Sequence, residues 1–269
     1  MNRQPSFFDK TAIVSYSGGM DSTCLVMDLL AKGYQVYAYS FDYGQSHNVE
    51  LIRATENVGY MQQLGLPVHH QIINLRDVFS GDTSTLVQHK HSPEGDYREE
   101  SMKCTVVNNR NVIFSAVIFA KALSLAKRNL DNYKMAAGIC GAQGDYRQEA
   151  SVVIALGVHA GDHAIYPDCT EESVNMAREL FRISNWDSDL VSYHTPFVNF
   201  TKAEVLNIGC SSMRELGLTE PEIDHILANT ISCYNATPDG KSCGKCGTCT
   251  ERLEAFEANG MKDPAPYVE

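Results

Sequence analysis

A β-rich run, residues 11–16 (TAIVSY), ends in Gly18-Gly19 and passes straight into a helical pattern over 22–32. In that pattern Leu25, Val26, Leu29 and Leu30 share one face, and Gly33 marks a stop. The same pair of periods recurs down the chain. Residues 35–41 (QVYAYSF), 68–74 and 151–156 (SVVIAL) read as strands. Residues 49–64, 111–127 and 170–183 read as helices, the second with Ile113, Val117, Ile118 and Leu125 on one side. Strands and helices alternating at this spacing connect by right-handed crossovers, which makes the sheet parallel and covers both its faces. The expected fold is therefore α/β, a doubly wound parallel sheet.

Three stretches stand outside this rhythm: a polar loop over 80–103, the segment 129–148, and a Gly- and Cys-rich stretch over 239–249. The 269 residues suffice for one well-buried core, or for one domain with a small appendage. The expected division is an α/β domain over 1–228 with a cysteine-bearing segment over 229–269 packed on it. With 33 acidic against 22 basic side chains, the formal net charge is -11, which opposes broad nonspecific binding to nucleic acid. No stretch matches a secretory signal, and the apolar runs fall short of a membrane span. The nine cysteines do not resemble a disulfide framework. The expectation is a cytoplasmic protein with no membrane and no nucleic-acid partner, in which Cys24, Cys104, Cys140, Cys169 and Cys210 serve as buried small apolar side chains.

The segment Ser17-Gly18-Gly19-Met20-Asp21-Ser22 lies between the first strand and the first helix. Two glycines let the backbone turn tightly and aim several N–H groups inward. The helix that follows adds its positive end. Ser17, Ser22 and Thr23 offer hydroxyls to phosphate oxygens, and Asp21 is a candidate to orient the loop or to help hold Mg²⁺. The lysine of a GxxxxGK[ST] loop is absent, so the terminal phosphoryl transfer that such loops serve is not indicated. The bland alternative is a Gly-Gly turn before a serine-capped helix. An SGG-x-DS loop resembles the signature of the PP-loop ATP pyrophosphatases, whose sheet is adenine nucleotide alpha hydrolase-like. That likeness implies attack on the α-phosphate of ATP, giving an adenylate and pyrophosphate.

Near the end of the chain, Cys233, Cys243, Cys246 and Cys249 form a C-x9-C-x2-C-x2-C pattern. CxxC turns hold two thiolates at tetrahedral Zn²⁺ distance, and a fourth thiolate closes the site. Four cysteines without a histidine point to a closed, structural metal site. An iron–sulfur cluster or a redox CxxC pair are the alternatives, and zinc is favoured because no redox fold context surrounds the cluster.

Six motifs follow one another in order: SGGMDST (17–23), FDYGQSH (41–47), NRN (109–111), GVHAGDHAIYPDC (157–169), TPF (195–197) with Lys202 after it, and SCYN…CGKCGTC (232–249). In this order they resemble the 7-cyano-7-deazaguanine synthases along most of the chain. The resemblance implies a two-stage reaction on 7-carboxy-7-deazaguanine. The carboxylate is adenylated, ammonia displaces AMP to give an amide, and a second ATP drives dehydration of the amide to the nitrile. It also implies a product used in queuosine and related deazapurine pathways, bound zinc, and a homodimer.

Carried onto this chain, the resemblance assigns Tyr16, Ser17, Gly18, Gly19, Met20 and Asp21 to the ATP loop. Ser22, Thr23, Cys24, Leu25 and Val26 continue it. Phe41, Asp42, Tyr43 and Gln45 close the second strand, where ligands lie in an open parallel sheet, and are placed for adenine, ribose or the deazapurine. Arg110 is a candidate to neutralise a carboxylate or the adenylate phosphate, beside Asn111 on the substrate side. The alternative for Arg110 is a surface residue at a helix start. His159, Asp162, His163, Tyr166 and Asp168 form a polar run after a strand. Asp162 or Asp168 suits a guanine-like edge, against the alternative of a solvated loop with Asx turns. Lys202 is a candidate to stabilise the pentavalent α-phosphate, against the alternative of an exposed helix-start lysine.

The sequence also departs from the family pattern. Asn108 precedes NRN where the family often has proline, and 129–148 lengthens the connection to GVHAGDH. Other functions remain open on the residues alone. These are another amide-forming or RNA-thiolating PP-loop enzyme, a synthase-like enzyme that passes the activated deazaguanine to another amine, or a zinc-ribbon interaction module. The charge of -11 opposes the thiolating reading. No glutaminase nucleophile is evident, which leaves free ammonia as the nitrogen source.

Overall fold

A computed structural model describes residues 10–46, 48–94, 100–136 and 151–268. Within them, the strands β1 (Thr11–Ser15), β2 (Gln35–Asp42), β3 (Val68–Asn74), β4 (Val152–Ala155) and β5 (Val191–His194) form one sheet. The order is β3-β2-β1-β4-β5 and every pairing is parallel. Thr11 pairs with Gln35 on one side and with Val152 on the other. The chain therefore builds outward from β1 to β3, then crosses back to lay β4 against the free edge of β1. That reversal opens a crevice at the carboxyl ends of β1 and β4, where an open α/β sheet binds its ligands.

Among the described residues, seven helices cover the sheet: α1 (Met20–Ala31), α2 (Val49–Gln63), α3 (Arg110–Ala136), α4 (Glu171–Ser184), α5 (Lys202–Glu215), α6 (Glu220–Ala228) and α7 (Gly247–Ala258). Alternation along β1 divides the apolar interior in two. Ala12 and Val14 pack with α1, α2, α5, α6 and α7, whereas Ile13 packs with α3 and α4. β1 is almost wholly buried, as expected of a strand covered on both faces. Among the described residues, no helix is long and apolar enough to cross a membrane.

Helix α1 begins at Met20, two residues before the expected start, because Gly19 already takes the extended backbone of an N-cap. Asp21 and Ser22 thus sit in a first helical turn. Helix α3 runs on to Ala136, so the part of 129–148 that the structure describes is helical. Residues 137–150, with Cys140, lie outside the described residues, as does His47. The polar stretch 80–103 carries no helix or strand up to residue 94, and a short 3₁₀ turn, Glu100–Thr105, follows. β5, α5, α6 and α7 were not expected as elements. Two of these helices nonetheless start at capping boxes, Thr201 with Glu204 and Thr219 with Glu222.

Candidate active site

At the crevice the first strand–loop–helix unit faces a cavity of about 250 Å³. Gly18 has φ +81, a conformation that side chains rarely adopt. A Cβ there would also lie 2.9 Å from Ala54 Cβ and 3.0 Å from the Glu50 carbonyl. Glycine at this position lets the loop lie flat on α2. Ser17 Oγ accepts from Gly19 N at 3.1 Å and meets Ser22 Oγ at 3.1 Å. The α1 N-terminus has no side-chain cap, and Gly19, Asp21 and Ser22 line the cavity. An uncapped helix start presents free N–H groups and a positive dipole end, the elementary requirements of a phosphate site.

Beneath the loop lies a cluster of charges. Lys202 is only 6% exposed, with Nζ 2.6 Å from Glu251 and 3.5 Å from Asp21. Burial works against the Lys202 charge, but Asp21 and Glu251 more than offset it and hold its pKa above the ordinary lysine value. Burial likewise raises the Asp21 carboxyl, and Lys202 and His159 outweigh that and hold it below its ordinary value. His159 Nδ1 accepts from Gly161 N at 3.0 Å, which leaves the ring proton on Nε2. Nε2 faces Asp21 and Asp162, each at 3.7 Å. A side chain at Gly161 would collide with Glu251 and the His159 ring. Asp21 Oδ1 is buried without a hydrogen-bond partner among the described residues.

The opposite wall is aromatic and carries one cation. Phe41 stacks on Phe114 with ring centres 4.0 Å apart, and Tyr43 tilts against the same ring. Arg110 lies 5.5 Å from the Tyr166 ring centre. Tyr166 is fixed from behind, its hydroxyl 2.8 Å from both Thr105 Oγ1 and Tyr234 OH. Asp168 accepts from the backbone and side-chain amides of Asn111 at 3.0 and 3.2 Å. Gln45, 1% exposed, accepts from Tyr43 N and donates to the Phe41 carbonyl and to Glu50.

The structure brings Tyr16, Ser17, Gly19, Asp21, Ser22, Phe41 and Gln45 to this cavity, although they come from separate motifs. It brings Tyr43, Arg110, Asn111, Asp162, Tyr166, Asp168 and Lys202 there as well. Other expected residues are placed elsewhere. Met20, Thr23, Cys24, Leu25 and Val26 are fully buried on the inner faces of α1 and do not line the cavity. Thr23 instead meets the Tyr16 hydroxyl at 3.2 Å, and Cys24 packs where Gly209 lets α5 approach α1. Asp42 turns outward to Arg76, whose Nε donates to both of its oxygens at 2.8 and 2.9 Å. His159 stands behind the wall, reaching the cavity through Asp21 and Asp162. Arg110 and Lys202 are not exposed helix-start residues, since both line the cavity. Sequence reading missed Glu50, Cys169, Tyr234, Ser232 and Thr248, which also line it, and Glu251, the partner of Lys202. Cys169 and Tyr234 fall inside quoted motifs, so the signal for them was present; Glu50 and Glu251 are ordinary acidic residues in helical patterns.

The four cysteines converge as their spacing suggests. The ligand atoms of Cys233, Cys243, Cys246 and Cys249 lie within 4.8 Å of one another. Tetrahedral Zn–S bonds of about 2.3 Å place sulfurs about 3.8 Å apart. Cys246 Sγ is 3.9 Å from Cys233 Sγ and 3.5 Å from Cys249 Sγ, which fits that spacing. Backbone N–H groups of Asn235 and Cys243 point at Cys233 Sγ, and those of Lys245 and Cys246 at Cys243 Sγ. Such donors favour thiolates. All four protein ligands are used, so the site is closed. It also touches the cavity: Thr248 lines the cavity and lies 3.2 Å from Cys246 Sγ.

Comparison with known proteins agrees with this arrangement. The family model described as "Queuosine biosynthesis protein QueC" matches residues 11–147 and 128–260. The 7-cyano-7-deazaguanine synthase of Pseudoalteromonas translucida is 38% identical over 95% of this chain and 97% of its own length. Those of Caldicellulosiruptor saccharolyticus and Methanoregula boonei are each 37% identical, over 95% of this chain and 95% and 98% of their own. Among solved structures, a predicted subunit of tRNA methyltransferase from Methanocaldococcus jannaschii covers 97% of this chain and 93% of its own at 15% identity. Its TM-score of 0.38 is too low to argue from. On the near-full-length matches and the shared motifs, the chain belongs to the 7-cyano-7-deazaguanine synthase family.

Proposed function

We propose that this protein is an ATP-dependent carbon–nitrogen ligase that converts 7-carboxy-7-deazaguanine and ammonia to 7-cyano-7-deazaguanine. The observation that carries the reading is a single cavity joining an uncapped helix N-terminus behind SGGMDS to the buried Lys202 and, across from them, Arg110. The loop N–H groups and the Ser17 and Ser22 hydroxyls hold the β and γ phosphates as the leaving unit. Lys202 offsets negative charge that builds on the α-phosphate. Arg110 draws the substrate carboxylate towards it by a charge-assisted contact. The aromatic wall of Phe41 and Tyr43 suits a flat heterocycle. Ammonia then displaces AMP, and a second ATP drives dehydration of the amide.

Mg²⁺ fits beside Asp21, whose buried Oδ1 has no hydrogen-bond partner among the described residues and offers the hard oxygen that this ion takes. Zinc at the four cysteines holds the segment 229–269 against the main domain and takes no part in the chemistry. A homodimer is supported by the apolar stripe Met176, Leu180 and Ile183 on the outer face of α4, with Trp186 90% exposed beyond it. A cytoplasmic setting, which keeps thiols reduced, suits the free cysteines.

The test is mass spectrometry of a reaction containing the protein, ATP, Mg²⁺, 7-carboxy-7-deazaguanine and ammonium. Successive appearance of the amide and the nitrile, with AMP, is the expected result. AMP release without nitrile would redirect the reading to another amine acceptor. No substrate-dependent AMP would overturn the substrate.

A further inference from the structure

Among the described residues four carboxylates line the cavity, and three of them already face a cation or a backbone N–H. Asp21 faces Lys202 at 3.5 Å. Asp162 accepts from the His159 backbone at 3.2 Å. Asp168 accepts twice from Asn111. Glu50, in the first turn of α2, differs. Among the described residues its carboxylate takes one hydrogen bond, from Gln45 Nε2 at 3.1 Å, and forms no ion pair.

Its position is nevertheless fixed. Gln45 has no freedom to turn away, because the same amide is tied to Phe41 O at 3.0 Å and to Tyr43 N at 2.9 Å. The Glu50 backbone lies against Gly18 of the phosphate loop. Among the described residues, Arg110 and Tyr43, which line the same cavity, are the ionisable groups that interact electrostatically with the carboxylate. Glu50 therefore shares one cavity with the loop that would hold the phosphates and the cation that would hold the carboxylate of the substrate.

We propose that Glu50 is the catalytic proton acceptor for the reacting nitrogen in both stages of the reaction. This rests on the substrate reading given above. In the first stage the lone pair of ammonia attacks the carbonyl carbon of the adenylate. The bond from that carbon to the phosphate oxygen breaks, AMP leaves with the electron pair, and one N–H proton passes to Glu50. In the second stage the amide oxygen attacks the α-phosphorus of ATP and expels pyrophosphate. One N–H proton goes to Glu50 as the imidate forms, and the last follows as the C–O bond breaks to give the nitrile and AMP. All three protons of ammonia thus leave nitrogen. Glu50 is half-buried, and between steps it hands each proton to water at the cavity mouth.

A carboxylate with no ion pair among the described residues is also the right base for such work. Burial pushes the Glu50 carboxyl up to about 7, against the opposing pull of Gln45 and Arg110. A general base is most effective with a pKa near the working pH.

The test separates activation from nitrogen chemistry. Glu50→Gln is assayed for carboxylate-dependent ATP–pyrophosphate exchange without ammonium, and for amide and nitrile formation with it, at constant free ammonia across pH. The expected variant retains exchange within about threefold of the native protein and loses about 100-fold or more in amide and nitrile formation. The native rate rises with pH through a limb near 7. That limb is absent from the variant, and Glu50→Asp restores part of the rate. Exchange and amide formation falling together would overturn the proposal in favour of a binding role. So would unchanged nitrile formation with the limb retained. A native protein without carboxylate-dependent exchange would overturn the substrate reading and this proposal with it, a result visible before any variant is made.

Discussion

Consecutive residues of α7 enter two buried charge networks that are built in opposite ways. Arg252, 1% exposed, makes a bidentate pair with Asp263 at 2.7 and 2.9 Å and also donates to Thr230 Oγ1 and the Leu227 carbonyl. Asp263 accepts further from Ala265 N and the Tyr267 hydroxyl. Glu251, one residue earlier, holds Lys202 at the cavity, where Asp21 keeps one buried oxygen without a partner. A buried polar group left unsatisfied costs about 1–3 kcal/mol, more when charged, so its persistence calls for an explanation. The satisfied network ties α7 to the end of α6 and to the stretch that follows α7. The unfinished one retains capacity to bind.

That contrast breaks if the C-terminal network is not what holds the segment. The largest effect is expected from the metal. The protein should carry about one zinc per chain. Structural zinc contributes about 10–16 kcal/mol of apparent binding free energy in small zinc domains. Chelation, or Cys246→Ser, should therefore lower the melting temperature and abolish AMP release together, because Thr248 and Ser232 line the cavity beside the cysteines. Full activity in a metal-free protein would show that the packing of α7 on α5 and the Arg252 bond to Leu227 hold the segment without the metal. The next effect is that of Arg252→Ala, which strands a buried carboxylate and should cost about 3–5 kcal/mol of stability by urea unfolding. A loss under about 1 kcal/mol would show that water reaches Asp263 and that the network is not closed.

The difference between the two networks also explains what the sequence could reveal. The sheet was legible because β1, β2 and β4 are short runs rich in apolar and aromatic residues set off by turns and helices, and β3, though polar at four of its seven positions, lies at the expected 68–74. β5 escaped because VSYH is a four-residue edge strand with two polar positions. Helix α5 escaped because Gly209 and two serines dilute its periodicity, although Thr201 and Glu204 carried a capping signal. At the cavity, the loop and the cysteines were legible because their spacing is itself the chemistry. Glu50 and Glu251 were not, since a lone glutamate in a helical pattern reads as surface. Only the packing of α2 on Gly18, and of α7 on α5, turns them inward. Asp42 was misplaced for the converse reason. It ends a strand at the ligand side, but the alternation of the strand points it at Arg76.

At the cavity itself the prediction inverts, with activity expected to suffer more than stability. Lys202→Met should lower kcat/KM for AMP release about 10²–10³-fold, or about 2.7–4 kcal/mol, as the loss of one preorganised electrostatic contact does. Stability should fall by less than in Arg252→Ala, because the Asp21 and Glu251 side chains are each 21% exposed and gain water when the lysine is removed, whereas Asp263 is 2% exposed. A variant that unfolds as readily as Arg252→Ala would make the two networks equivalent, and the comparison would fail.

The smallest effect separates the networks by pH. Burial alone would raise the Asp263 carboxyl, but Arg252, with the Tyr267 hydroxyl and the Ala265 N–H, outweighs it and holds the pKa below the ordinary value. As pH falls, the unfolded chain takes up this proton first, near its ordinary value of about 3.9. The stabilisation is thus complete above that value and is lost as pH drops from it through the lower folded pKa. Lys202 behaves in the opposite sense. Its folded pKa lies above the ordinary lysine value, so its contribution is complete below about 10.4 and is lost as pH rises through the folded value. Asp21 adds to the acid limb as well, since its carboxyl is also held low. Asp263→Asn resolves that overlap. One group changes the slope of stability with pH by at most about 1.4 kcal/mol per unit. The variant should lose part of the acid slope in urea unfolding and keep the alkaline limb, whereas Lys202→Met should lose the alkaline limb together with the part of the acid slope that Asp21 supplies, since Lys202 holds that carboxyl low. An acid slope unaltered by Asp263→Asn would assign the acid sensitivity to the cavity and remove the C-terminal pair from the account of stability.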